Sequence, residues 1–174
     1  MQAKGYALVL ELLKAMEDRG SWCGETHLQK ASYFLQEVVS VPLELDFILY
    51  KHGPYSFELH EVLGDMRAKL LIDVKPQPTP YGPSLKPGPS AQVLAEGFSK
   101  TIASYKQAIE FVAGKFSKHD AVDLERLATA LYVIRNYPHE ADRAELMHRL
   151  KPHITKERAA EALSEVEVIL TETP

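Results

Sequence analysis

The sequence predicts a mostly α-helical α+β protein. Residues 1–89 read as a winged-helix-like module with a small β-hairpin, and residues 90–174 as an α-helical subdomain packed on it. Three observations lead there. Apolar residues recur at spacings of three and four through most of the chain, which marks amphipathic helices. Two short segments, near 43–49 and 70–74, break that period. The second runs into residues 76–89, which hold six of the 11 prolines and two of the nine glycines. That composition excludes a central strand or a helix and fits a loop or wing tip.

Each element has its own signal. Tyr6, Val9, Leu10, Leu13 and Met16 give one stripe on a first helix over 3–19, which Gly20 ends. A second helix runs to about Val39, with Thr26 as expected N-cap and Gln29 as its capping-box partner. Leu28, Ala31, Tyr33, Phe34, Leu35 and Val38 form its inner face. Leu43, Leu45, Phe47 and Leu49 alternate with mostly polar neighbours, which predicts a half-buried strand. Phe57, Leu59, Val62, Leu63 and Met66 give a third helix, opened by Tyr55 or Ser56. Leu70 to Val74 read as a short strand, and Tyr81 to Leu85 as a returning edge strand.

From Ser90 onward every signal is helical. One or two helices cover about 91–116, with a break near Gly97. Asp120 caps a helix over 121–136, a short helix fits 140–150, and Thr155 caps the last one. Tyr105, Ile109, Val112 and Phe116 form one stripe; Leu127, Leu131 and Ile134 form another. These stripes pack on each other within the chain, make a groove for a homodimer or another partner, or do both.

Bulk composition bounds the function. The 174 residues carry a net charge of −4, with 9 Lys and Arg against 11 Asp and Glu in residues 1–90, and 11 against 13 in residues 91–174. Neither half is a basic module, so nucleic acid is not the expected partner. The single cysteine, Cys23, cannot close an internal disulfide, which suits a reducing cytoplasm. No apolar run approaches a membrane span, and the N-terminus lacks the pattern of a secretory signal.

The stretch Tyr50-Lys51-His52-Gly53-Pro54-Tyr55-Ser56 is the most informative. Gly53 tolerates unusual backbone angles and Pro54 fixes its own φ, so this pair is read as the structural turn. An aromatic, a cation, an imidazole and a hydroxyl collect there at the start of a helix. Lys30, Tyr50, Lys51, His52, Tyr55 and Ser56 are the expected partner contacts. The same residue types also serve as ordinary turn and cap residues, with Lys30 solvated beside Tyr33 and Phe34.

Leu28-Gln29-Lys30, then Tyr33-Phe34, then Tyr50-Lys51-His52-Gly53-Pro54 resemble the signature of the Panacea (SocA-like antitoxin) domain over roughly residues 5–75. With Leu124-Glu125-Arg126-Leu127-Ala128-Thr129 and Lys151-Pro152-His153, the chain is also similar to uncharacterised prokaryotic YwgA-like proteins. The resemblance implies a small α-rich domain that binds another protein, in antitoxins a toxin. It implies no catalytic residues.

Other chemistry is weak. Cys23 has His27 four residues on but no identifiable carboxylate or Asn partner for a nucleophilic set. His139, His148 and His153 lack the spacing of a zinc helix. No catalytic residue, metal or cofactor is expected. The third helix offers Glu58, Glu61 and Asp65 against Arg67 and Lys69, a poor match to phosphate. The expected function is a non-enzymatic protein-interaction module. The alternative is a winged-helix DNA-binding transcriptional regulator, which rests on Lys75 and Lys86 in the wing.

Overall fold

The computed structural model describes residues 1–78 and 82–174. In chain order the elements are α1 (Ala3–Glu17), α2 (Glu25–Glu37), β1 (Ile48–Tyr50), β2 (Gly53–Tyr55), α3 (Phe57–Ala68), β3 (Ile72–Lys75) and β4 (Ser84–Pro87). They continue with α4 (Ala91–Gly97), α5 (Ser99–Phe116), α6 (Ala121–Asn136), α7 (Arg143–Leu150) and α8 (Lys156–Thr171). The protein is mostly helical with two small antiparallel hairpins, β1–β2 and β3–β4.

Local signals place the helix ends. Gly20, at φ +79°, ends α1, and the Ser21 N–H returns to the Met16 carbonyl at 3.0 Å, a Schellman-type closure. Ser56, Asp120 and Thr155 each cap a following helix by accepting a backbone N–H three residues on. The break near Gly97 is real and separates α4 from α5.

α1, α2, α3 and the β3–β4 hairpin come in winged-helix order, but the β1–β2 hairpin is inserted between α2 and α3, where a plain helix-turn-helix has only a short turn. A further bridge joins Gly24, between α1 and α2, to Ser84 of β4, and the Leu85 N–H reaches the Cys23 carbonyl at 2.9 Å. The wing is thereby anchored to the helical body. The expectation that Tyr81 opens the returning strand lies outside the described residues; β4 begins at Ser84. Gly88 closes the hairpin against the 70s backbone. A Cβ there would lie 2.4 Å from the Leu70 carbonyl oxygen, so only glycine fits.

One continuous apolar core runs from α1 to α8. The helices of 90–174 complete it: Phe34 of α2 meets Phe116 of α5 at 4.2 Å between ring centroids. Ile109, Val112, Phe116, Leu127 and Leu131 are buried here. These residues of the C-terminal stripes thus pack within the chain, while Tyr105 and Ile134 are partly buried at its edge.

Three local expectations are corrected. α2 begins at Glu25 after Gly24, with no side-chain cap; Thr26 lies inside it and Gln29 is engaged elsewhere. Residues 43–47 show the expected burial alternation but form no strand. They have no ladder partner, and Glu44 sits at φ +57°. The Gln36 amide substitutes for a neighbouring strand, with its Oε1 accepting the Leu45 N–H and its Nε2 donating to the Leu45 carbonyl, both at 2.9 Å. Finally, the reversal falls at Lys51–His52, between the paired Tyr50 and Gly53. Gly53 and Pro54 lie in the returning strand β2. Pro54 is tolerated because β2 is an edge strand, and Gly53 at φ +81° is the left-handed residue that starts β2 directly after the two-residue turn.

A Cβ on Gly53 would also come within 3.0 Å of Thr129 Oγ1 and 3.3 Å of the Glu125 carbonyl. Gly53→Val and Gly88→Ala should each lower unfolding free energy by about 1–3 kcal/mol. Urea unfolding curves that coincide with wild type would show that neither position is constrained.

Candidate partner-binding surface

The β1–β2 turn rests on the interior, and its backbone groups need partners there. Helix α2 supplies two. Lys30 Nζ donates to the Pro54 carbonyl at 2.8 Å. The Gln29 amide binds the Ser56 peptide twice: Nε2 to its carbonyl and Oε1 from its N–H, both at 2.9 Å. Lys151, just after α7, supplies a third. Its ammonium donates to the Lys51 carbonyl at 2.9 Å and to the Tyr50 carbonyl. Two lysines and one amide thus bind four backbone units of a single turn.

The charge balance comes from α6. Glu125 is buried, with Oε2 3.3 Å from His52 Nδ1 and Oε1 2.8 Å from His153 Nε2. The Thr129 hydroxyl donates to the Glu125 carbonyl at 2.7 Å. Burial lowers the Lys30 pKa to about 8, while Glu125 draws it back up and Lys151 lowers it further. Burial likewise lowers Lys151, against the pull of Glu125. Lys30 is therefore still mostly protonated at neutral pH, held by one carbonyl and one nearby carboxylate.

Lys30 is 1% exposed and Ser56 0%, so neither meets a partner at the surface. The solvated position expected for Lys30 is corrected: α2 is covered by α1, α5, α6 and the hairpin, which leaves even its polar face inside. Ser56 is the α3 cap. Lys51 and His52 are exposed at the turn, with their backbone tied down from beneath.

Tyr50 and Tyr55 belong to an exposed aromatic platform. Tyr50, Tyr55 and Phe57 form a triangle with ring centroids 5.8, 5.3 and 5.1 Å apart. Ile48, Tyr50 and Phe57 are 49%, 49% and 51% exposed. Glu25 fixes one edge, accepting the Tyr55 hydroxyl at 3.1 Å and lying 2.7 Å from His60 Nδ1. Burial and this carboxylate push the Tyr55 hydroxyl up to about 12, so it remains a donor. Clustered aromatics on a rigid support are the residues that carry most binding energy at interfaces.

Sequence reasoning missed Phe57 as a surface residue, because it read as an inward member of an apolar pattern; Ile48 fell on the outward phase of the 43–49 alternation but was not singled out as a contact. It also missed Gln29, Glu125, Thr129 and Lys151 as supports of the turn. The signal was present: the motifs around Gln29-Lys30, Glu125–Thr129 and Lys151–His153 that carry the resemblance converge on this one turn.

Elsewhere the chemistry is quiet. Burial raises the Cys23 thiol to about 12, which leaves it protonated and unreactive. Among the described residues no three His, Cys, Asp or Glu side chains are placed to share a metal ion. No helix among them is long and apolar enough to cross a membrane. Comparison with protein-family models and with curated proteins finds no match for this chain.

The buried Lys30 gives a pH signature. Its pKa is 10.5 when unfolded and about 8 when folded, so between those values the unfolded chain binds more protons. The Lys30 contribution to stability therefore rises with pH across that window. The stability difference, wild type minus Lys30→Met, should grow by about 1–3 kcal/mol from pH 8 to 10.5. A difference that is flat or shrinks in urea titrations would count against a buried, hydrogen-bonded ammonium.

Proposed function

We propose that this chain is a non-enzymatic protein-interaction module of the cytoplasm, antitoxin-like or regulatory, that docks a protein partner on the Ile48–Tyr50–Tyr55–Phe57 platform. The observation that carries this reading is an exposed aromatic cluster on a hairpin whose backbone is bound from below by Lys30, Gln29 and Lys151. A platform already fixed in place loses little conformational entropy on binding. Tyrosine suits such a surface, with a large apolar face, a polar tip and few rotatable bonds. The likeness to the Panacea domain adds support, since its members act by binding a protein and its signature residues are the ones that build this hairpin.

Tyr50→Asp with Phe57→Asp places two charges on the platform at half-exposed positions. The double variant should keep the wild-type melting temperature to within a few degrees. In affinity capture from the native host, a stoichiometric protein retained by wild type should be lost by the variant. Absence of such a partner, or equal retention by both forms, refutes the reading.

The winged-helix order of α1–α3 and β3–β4 favours one alternative, a DNA-binding regulator. Against it, the N-terminal turns of α3, where a reader helix meets bases, carry Glu58 and Glu61. Filter binding with duplex DNA at about 50 mM salt, where phosphate contacts are strongest, should show no retention. Salt-sensitive retention would favour the regulator instead.

A further inference from the structure

A cleft of about 810 Å³, bordered by Glu25, lies among the α1–α2 loop, the starts of α2 and α6, α3, the β3–β4 hairpin and the α5–α6 loop. Its volume is in the range that holds small organic ligands. Trp22, Leu63, Val74, Leu85 and Val122 give it apolar walls. The polar groups on those walls are unevenly committed. Glu25 is taken up by Tyr55 and His60. Asp120 accepts the Asp123 N–H at 2.8 Å as the cap of α6.

The two cations are not matched in this way. Arg67 donates only from Nε, to the Leu63 carbonyl at 3.4 Å, and pairs with no carboxylate among the described residues. Lys118, on the α5–α6 loop, has no hydrogen-bonded or ionic partner among them. The formal charges of these four side chains balance, but the carboxylates are hydrogen-bonded within the fold and the cations are not paired among the described residues, so the groups left to meet a ligand are cationic. His27 adds a polar group to the lining: it is buried, and its Nε2 donates to the His119 carbonyl at 3.2 Å, which leaves Nδ1 as an acceptor.

We propose that this cleft binds a small amphipathic carboxylate, its apolar body against Trp22, Leu63 and Val122 and its carboxylate met by Arg67 and Lys118. The apolar lining and two single cations suit one carboxylate. A polyphosphate needs a denser set of donors than this. The site is distinct from the aromatic platform, and its test needs no protein partner.

Trp22 is the only tryptophan of the chain, so its fluorescence reports occupancy directly. Titration with 4-butylbenzoate should give a saturable change, with affinity at least about tenfold above that of 4-butylbenzyl alcohol, a neutral analogue of the same body. Arg67→Gln with Lys118→Gln alters two exposed side chains and should bring the acid down to the level of the alcohol. In the wild type, the preference for the acid should shrink as salt is raised to about 1 M, a readout that needs no variant. Equal affinity for acid and alcohol, no saturable response at millimolar probe, or a preference indifferent to salt overturns the proposal.

Discussion

A turn laid against a protein interior brings peptide groups with it, and each needs a hydrogen-bond partner. In this molecule the Tyr50–Ser56 segment lies on α2 and α6, and its carbonyls meet Lys30, Lys151 and Gln29. An unsatisfied buried carbonyl costs about 1–3 kcal/mol, and a buried ammonium without acceptors costs more. Neither group is tolerable there alone. The turn therefore forms only against helices that carry these side chains, and the lysines are tolerated only beneath this turn. Glu125 completes the set by supplying the negative charge that two nearby cations require.

This mutual dependence ties the two halves of the chain together. Gln29 and Lys30 come from α2, Glu125 and Thr129 from α6, and Lys151 from the segment after α7. Residues 90–174 are thus structural partners of the hairpin as well as a second layer of core. The aromatic platform inherits its rigidity from this arrangement. Tyr50 stands on a backbone held by Lys151, Tyr55 is fixed by Glu25, and Phe57 opens a helix capped by Ser56. Glu25 borders both the platform and the cleft beside Trp22, so the two surfaces meet at one carboxylate while keeping different chemistry: aromatic and exposed on one side, apolar with two cations unpaired among the described residues on the other.

Much of the fold was legible because its signals are local. Helix periodicity, the caps Ser56, Asp120 and Thr155, and the break at Gly97 each depend on residues within about one turn of each other. The candidate surface was legible only in part. The Tyr50–Ser56 motif stood out as a turn, yet Lys30 read as a solvated cation when it is interior, and Phe57 read as interior when half of it is exposed. On a 13-residue helix a polar position looks solvent-facing unless one knows that three other helices and a hairpin cover it.

The sequence by itself determined where most of the helices lie, that the chain reverses near residue 52, and that each half carries a net negative charge. Tertiary structure alone decided which polar residues are buried, which aromatics reach solvent, and that residues 43–47 find a glutamine amide in place of a neighbouring strand. The physical reason is range. Propensity and capping act through the adjacent turn of backbone, whereas burial and hydrogen-bond pairing are settled by segments up to about a hundred residues away, as between Lys151 and Lys51.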